Sequence, residues 1–289
     1  MSHITDHIWY PYTQMADQAT AAARFVVTQG EGVFVHTRDG RKLLDGYSQM
    51  WCNPLGHAHP RINAALSAQA AKIAHSSLFS ASNETSIELA AMVVSLCQEE
   101  FGVGEGCPQH VFFTDNGSTA VEVGLKMALQ YHRNRGDKER TKLLCFSDAY
   151  HGDTAATMTL GGVELFRQAY QPITFEVLRA SYPMQANSFD TPDPAERAAF
   201  DEACLELRQV FEGQGETIAG VVIEPAIQGA GGMRPCYPGF LKLLRELCDE
   251  YGTLLIADEV MTGFGRTGAT FACAAEGVTP DIFAIGKAL

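Results

Sequence analysis

The sequence predicts an α/β fold with a mostly parallel central sheet and helices on both of its faces. Apolar segments of about four residues alternate along the chain with longer segments whose apolar residues recur at helical spacing. Within the short segments apolar and polar residues do not alternate, which is typical of strands covered on both faces. Strands that alternate with helices favour parallel pairing through crossover connections. The 289 residues suffice for one large domain or two ordinary ones.

Five helices are predicted from apolar spacing and from residues suited to helix ends. The first covers residues 61–75 and directly follows Pro60, a residue favoured at helix starts. The second covers residues 84–97, with Asn83 as its N-cap. The other three cover residues 118–132, 195–211 and 238 to about 252.

The strands are the short apolar segments between these helices. They lie at residues 111–113, 143–146, 221–223, 254–257 and 282–285. The first 60 residues predict an arm followed by a hairpin, because Val33–Val35 and Leu43–Leu44 flank the turn sequence Asp39-Gly40. We therefore expect an N-terminal region at residues 1–60 and a large domain at residues 61–289. Residues 180–195 are rich in Pro, Ser and Asp and predict a surface loop.

Composition excludes several classes of protein. A net charge of −13 leaves no basic surface for nucleic acid or an anionic membrane. The eight cysteines form no C-x-x-C pair, which favours reduced thiols in a cytoplasmic protein over a disulfide framework or a zinc site. No apolar run approaches the roughly 18 residues of a membrane helix, and the N-terminus lacks the pattern of a secretory signal.

Polar residues follow each predicted strand. They are found at residues 115–119, 147–153, 224–232, 258–259 and 286–287. Ligands of open parallel sheets bind beyond the carboxyl ends of the strands, so we expect these groups to share one crevice. Gly117 and Ser118 stand between a strand and a helix, where backbone N–H groups favour a phosphate. The alternative is that Ser118 or Thr119 only caps the helix.

Asp258 and Lys287 each end an apolar strand. Taken singly, the aspartate could belong to a salt bridge, and the lysine could be a solvent-exposed residue at the strand end. Together with a phosphate site they match pyridoxal 5′-phosphate, whose pyridine nitrogen takes an acidic partner and whose aldehyde takes a lysine. Two other patterns are weak. Residues 263–268 match G-x-G-x-x-G without the helix that a dinucleotide site requires, and His57 and His59 lack further metal ligands at suitable spacing.

The motifs resemble those of the class III aminotransferases of fold type I, in the family's order over nearly the whole chain. The matching segments are Asp115-Asn116-Gly117-Ser118-Thr119-Ala120-Val121-Glu122, Tyr150-His151-Gly152-Asp153-Thr154, Ile223-Glu224-Pro225, Ala257-Asp258-Glu259-Val260, Thr262-Gly263-Phe264-Gly265-Arg266-Thr267-Gly268 and Gly286-Lys287-Ala288-Leu289. The resemblance implies a pyridoxal 5′-phosphate enzyme that moves an amino group from a small amine to a small ketone. It also implies a homodimer.

The resemblance assigns roles to single positions. Lys287 would bind the cofactor covalently and transfer the proton, and Asp258 would hold the ring nitrogen protonated. The other implied cofactor contacts are Gly117 and Ser118 at the phosphate, Tyr150 and Val260 on the two ring faces, and Glu224 near the ring substituents. Tyr12, Met50, Trp51 and Tyr150 would line the substrate pocket, and Arg266 and Asp153 would have supporting roles.

Two features of the match limit the prediction. One branch of the family usually carries two tryptophans where this chain has Met50-Trp51, so several amino donors stay open, among them ornithine, 4-aminobutyrate and lysine. The chain also ends two residues after Lys287. We therefore expect the family's C-terminal small domain to be absent from the 289 residues, and a fragment without catalytic activity is an alternative interpretation.

Overall fold

A computed structural model describes residues 7–18, 25–104, 106–185 and 193–289. Residues 186–192 of the predicted surface loop lie outside these ranges. The chain divides into two compact units, residues 1–75 and 76–289. The predicted division into domains at residue 60 stays a prediction.

The first unit contains a three-stranded antiparallel sheet and three short or medium helical segments. Its elements are α1 (Met15–Gln18), β1 (Val27–Glu31), β2 (Phe34–Thr37), β3 (Lys42–Leu44), α2 (Ser48–Trp51) and α3 (Pro60–Lys72). The predicted hairpin is formed by β2 and β3, with Val35 opposite Leu43. The strand β1 was not predicted, because its sequence Val-Thr-Gln-Gly-Glu has no apolar run.

The segment α2 is a left-handed turn. Ser48, Gln49, Met50 and Trp51 all have φ between 49° and 69°. In L-residues other than glycine this conformation costs roughly 1–2 kcal/mol per residue, because Cβ approaches the following carbonyl oxygen. Four such residues in succession therefore need support from their surroundings.

The second unit is built on a parallel five-stranded sheet in the order β10-β9-β6-β4-β5. The strands are β4 (Lys142–Phe146), β5 (Leu178–Ala180), β6 (Ile218–Ile223), β9 (Leu254–Asp258) and β10 (Ile282–Ala284), and a separate two-stranded ribbon is formed by β7 (Ile227–Gln228) and β8 (Arg234–Pro235). The helices are α4 (Glu84–Phe101), α5 (Gly117–Asn134), α6 (Ala155–Leu160), α7 (Glu164–Arg167), α8 (Pro194–Gln214), α9 (Phe240–Tyr251) and α10 (Ala272–Ala275), with 3-10 turns at Gln168–Ile173 and Gly215–Thr217.

Helices cover both faces of this sheet, as predicted. One buried cluster joins β4, β6 and β9 to α8 and α9, and includes Leu207, Leu244 and Leu255. A second cluster on the other face joins the sheet to α5 and includes Val121 and Leu125. Since alternate residues of a strand face opposite sides, strands covered on both sides are apolar throughout.

One predicted strand was wrong, and one strand of the parallel sheet was not predicted. Val111–Phe113 pairs with no strand among the described residues, and the side chain of Phe112 is 63% exposed. The segment is apolar, but β10 is the edge strand of the described sheet and does not bond to it. The strand β5 was missed because it contains only three residues and a central arginine, whose guanidinium donates to the carbonyl oxygens of Thr159 and Leu160.

Helix predictions were close, with boundary shifts of a few residues. Asn83 caps α4 as predicted, since its side chain accepts the N–H of Ser86 at 2.9 Å. The helix α9 begins at Phe240, two residues after the predicted Pro238, because Gly239 adopts a left-handed conformation before it. No helix of the described residues is long and apolar enough to cross a membrane.

Candidate active site

The parallel pairing brings the carboxyl ends of all five strands to one edge of the sheet. Ile223 of β6 lies opposite Ala257 of β9, and Asp258 lies opposite Ala284 of β10. The residues that follow these strands therefore emerge on the same side, as the sequence predicted. This edge carries the candidate site.

Asn116 caps the helix that begins at this edge. Its side-chain oxygen accepts the N–H of Thr119 at 3.1 Å, and the Thr119 hydroxyl accepts the N–H of Asn116 at 3.2 Å. Of the two residues considered as simple caps, Thr119 takes part in this reciprocal box and Ser118 does not. The first-turn N–H groups of Gly117 and Ser118 precede the helical bonding pattern and lie at the positive end of α5, which favours an anion.

Val260 packs against this helix start. A Cβ atom added to Gly117 would lie 2.7 Å from Cγ1 of Val260, and one added to Gly286 would lie 3.6 Å from the same atom. Only glycine at position 117 leaves room for the valine. Val260 therefore lies between the start of α5 and the residue that precedes Lys287.

Replacing Gly117 with alanine is expected to reduce the free energy of unfolding by about 1–3 kcal/mol, because the new methyl group overpacks against Val260. In the double variant Gly117→Ala, Val260→Ala the clash is removed, so the two effects should be less than additive. Urea unfolding of both single variants and the double variant measures this coupling. Strict additivity would contradict the packing described above.

The loop after β4 carries Tyr150 and an aspartate that holds its phenol. The phenol of Tyr150 donates to the Asp153 carboxylate at 2.8 Å. Gly152 has φ +125°, and a Cβ there would overlap the side chain of Ser118. The backbone of this loop therefore lies directly beside the first turn of α5.

Asp258 is buried and held by two groups. Its Oδ2 is 2.8 Å from Nδ1 of His151, and its Oδ1 accepts the N–H of Val260 at 3.1 Å. The His151 ring is fully buried, and its Nε2 has no hydrogen-bond partner among the described residues. A buried carboxylate without such partners would be costly, so this pair explains how Asp258 is tolerated at the strand end.

His151 is a site residue whose role the sequence did not reveal. It stands in the motif Tyr150-His151-Gly152, but a histidine after a strand has no distinctive spacing to an aspartate more than one hundred positions away. Its contact with Asp258 depends on β4 and β9 both flanking β6 in the sheet.

Glu224 joins two loops of the site. One carboxylate oxygen accepts the N–H of Tyr150 and the other accepts the N–H of Gly229, both at 2.9 Å. Burial, assisted by the nearby Asp258 carboxylate, raises the pKa of Glu224 to about 7 against the opposing effects of His151 and the two backbone N–H groups. The charge of Glu224 thus changes near neutral pH.

We expect the stability of the protein to reflect this titration. A carboxyl group whose pKa is raised on folding stabilises the fold below its unfolded pKa, and this contribution is lost as the pH rises through the folded value. Relative to that of the Glu224→Gln variant, the free energy of unfolding of the protein should fall by up to about 3 kcal/mol between pH 4.5 and pH 8. Urea unfolding of both proteins across this range measures the difference, and a difference independent of pH would contradict the shift.

Lys287 follows β10, the strand beside the one that ends in Asp258. Its backbone has φ 47°, and the N–H of Ala288 closes a tight turn onto the carbonyl oxygen of Gly286. This turn lies at the end of β10, and its first residue, Gly286, lies beside Val260.

Arg266, Tyr12, Met50 and Trp51 complete the set of predicted site residues. Arg266 lies in the glycine-rich turn after β9 and donates from Nε to the carbonyl oxygen of Met261 at 2.8 Å, a contact that holds the loop. Only the four-residue α10 follows that turn before β10, so the turn opens no dinucleotide-binding helix. Tyr12, Met50 and Trp51 belong to the first unit, and their substrate roles stay predictions.

No cluster of three or more His, Cys, Asp or Glu side chains that could hold a metal ion occurs in the described ranges. His57, one of the histidines considered for a metal, instead lies 2.7 Å from the carboxylate of Asp45 through its Nε2.

A helix start that favours an anion, a buried carboxylate and a lysine at one edge of a parallel sheet suit a pyridoxal 5′-phosphate site of the fold type I kind. The groups at this edge suit that cofactor: N–H groups for the phosphate, a carboxylate for the ring nitrogen and an amine for the aldehyde. The chain belongs to the class III aminotransferases, whose family model matches residues 15–289.

Several relatives are adenosylmethionine-8-amino-7-oxononanoate aminotransferases. The protein of that name from Geobacter sulfurreducens is 42% identical over 98% of this chain and 60% of its own length. The crystal structure of the Methanocaldococcus jannaschii protein of that name is 35% identical, with a TM-score of 0.86, over 98% of this chain and 60% of the other. A PLP-bound amine transaminase from an uncultivated Pseudomonas species is 31% identical, with a TM-score of 0.85, over 96% of this chain and 61% of the other. The chain thus spans about 60% of these relatives.

Proposed function

We propose that the protein transfers an amino group from S-adenosylmethionine to 8-amino-7-oxononanoate and forms 7,8-diaminononanoate, a step of biotin synthesis. The observation that carries this proposal is the identity of 36–42% over nearly the whole chain to eight relatives that are all named for this substrate pair. The opening His7–Met15 and the stretch Gln228–Met233 resemble the same enzymes.

The proposed cofactor, pyridoxal 5′-phosphate, withdraws electrons from the carbon that bears the amino group when it is bound. The side chains of this chain do the rest. The Lys287 amine would act as general base and acid: it would take the proton from the carbon that bears the donor's amino group and return it in a 1,3-proton shift. Asp258, oriented by His151, keeps the ring nitrogen protonated, and this maintains the electron withdrawal.

Three further groups hold the cofactor in the proposed site. The N–H groups of Gly117 and Ser118 bind the phosphate at the start of α5. Tyr150 and Val260 would hold the ring by packing against it. Glu224 keeps Tyr150 in place, since it accepts the N–H of that residue and so ties its loop to Gly229.

A second candidate function is an aminotransferase of the same family with another ω-amine as donor. Met50 favours it, because the biotin enzyme usually has a tryptophan there that lines the substrate pocket. The relation to an amine transaminase at 31% identity also favours it. Candidate donors are lysine, ornithine, acetylornithine and 4-aminobutyrate.

A donor panel with the whole protein separates the two functions. Loss of the cofactor's visible absorbance upon mixing with each amine reports the first half of the reaction, and formation of 7,8-diaminononanoate reports the second. We expect S-adenosylmethionine to give both signals. Efficient reaction with another amine and no diaminononanoate would support the second function, and no reaction with any amine would contradict both.

We infer a cytoplasmic homodimer. All eight cysteines are free, which suits a reducing compartment. The second unit exposes large apolar side chains at Leu78, Phe79, Ile87 and Met92, which a partner subunit would cover. Sedimentation of the whole protein tests the oligomeric state. The partners proposed for the active site are small molecules, and the charge of −13 argues against nucleic acid.

A further inference from the structure

The left-handed turn α2 is held from one side by a buried carboxylate. The side chain of Asp45 is only 2% exposed. Its Oδ1 accepts the N–H of Gln49 at 3.3 Å, and its Oδ2 lies 2.7 Å from Nε2 of His57. One carboxylate therefore links the strained turn to a histidine twelve positions later.

His57 is in turn fixed on the sheet of the first unit. Its backbone exchanges two hydrogen bonds with Gly32, at 2.7 and 3.1 Å. Its ring lies so close to Gly30 that a Cβ added there would come within 2.6 Å of it. Since β1 carries Gly30 and the adjoining turn carries Gly32, both the backbone and the ring of His57 pack against this part of the sheet.

The turn closes on itself as well. The N–H of Trp51 donates to the carbonyl oxygen of Tyr47 at 2.8 Å, and the hydroxyl of Ser48 donates to the carbonyl oxygen of Asn53 at 2.7 Å. These bonds keep the turn compact, but they do not attach it to the sheet. The side chain of Asp45 joins the turn to His57 and so to the sheet, and Met50 at the tip of the turn stays 58% exposed.

We propose that Asp45, supported by His57, is a positioning residue that holds the segment Ser48–Trp51 in its left-handed form and thereby sets the binding of the amino donor. The proposal rests on the proposed function, which gives Met50 and Trp51 their place in the substrate pocket. Strained conformations of this kind persist where a defined geometry serves binding. Asp45 itself touches no reacting atom in this scheme.

Hydrogen exchange, measured without any substrate, tests whether Asp45 holds the turn. In the whole protein, Asp45→Ala should speed exchange of the amides in residues 46–53 about tenfold, because a hydrogen bond to a buried charged group is lost. Asp45→Asn should preserve most of the protection, since its amide oxygen can still accept the N–H of Gln49. Asp39→Ala is the matched control, because Asp39 is paired with the exposed Arg41 and does not contact the turn.

Measurements of donor binding test whether the turn sets the affinity for the amino donor. In single-turnover experiments Asp45→Ala should raise the donor Kd about tenfold with less than about a threefold change in the saturating rate, and Asp45→Asn should restore the Kd. If Asp45→Ala does not fold, the alternative variant is His57→Phe. It removes the contact between His57 and the Asp45 carboxylate and keeps an aromatic ring against Gly30. Unchanged protection, or lost protection with an unchanged donor Kd, would overturn the proposal. Absence of transamination by the unsubstituted protein would instead refute the proposed function, and the exchange data would still judge the role of Asp45.

Discussion

Replacing Lys287 with alanine is expected to reduce amino-group transfer by the whole protein by at least about 10²–10⁴-fold, the range that general acid–base catalysis contributes. The effect is large because one amine both holds the cofactor and moves the proton. The turn at Gly286–Ala288 should survive, since its bond joins backbone atoms. Formation of 7,8-diaminononanoate and the visible spectrum of the bound cofactor are the two measurements.

The control for this variant is Lys126→Ala. Lys126 lies on the exposed side of α5, so its removal should leave both the spectrum and the rate unchanged. A Lys287→Ala protein with nearly normal turnover would contradict the role assigned to this lysine. Loss of activity in both variants would point to damage of the fold.

Replacing Asp258 with asparagine is expected to lower the rate by about 10²–10³-fold, as removal of one well-placed electrostatic group does in other enzymes. Asparagine can still accept the N–H of Val260 and can donate to a neutral His151, so the fold should persist. What it lacks is the negative charge that keeps the ring nitrogen protonated. The rate per folded active site, obtained from turnover and cofactor content, is the relevant measurement.

Glu259 provides a matched control for Asp258. It is the adjacent residue and equally buried, but its carboxylate accepts the Thr262 hydroxyl at 2.6 Å and the N–H groups of Ala272 and Cys273. These contacts are structural, so Glu259→Gln should reduce stability by about 1–3 kcal/mol and leave the rate per folded site within about threefold. Equal losses of rate in both variants would contradict a special role for Asp258.

Elements with strong local signals could be predicted from the sequence. The apolar strands β6 and β9 and the capped helix α4 depend on patterns within a few residues, and the structure has them. The apolar segment 111–113 was predicted as a strand and is not one, because an apolar segment becomes a strand only when a neighbouring strand offers backbone hydrogen bonds. Among the described residues none does so.

The candidate site was predicted as a set of positions rather than as a set of contacts. Parallel pairing places Asp258 and Lys287 at one edge of the sheet, and parallel pairing could be predicted from the alternation of strands and helices. The contact between His151 and Asp258 depends on the strand order, and the left-handed turn at Ser48–Trp51 depends on Asp45 and His57. Neither has a local sequence signal, since the partners meet only through the tertiary structure.

The most direct test of the account is to identify the residue that binds the cofactor. The whole protein is incubated with pyridoxal 5′-phosphate, reduced with borohydride, digested and mapped by mass spectrometry. We expect one cofactor adduct, on Lys287, that is absent from the Lys287→Ala protein and weaker in Asp258→Asn. An adduct on another lysine, or no adduct at saturating cofactor, would contradict it.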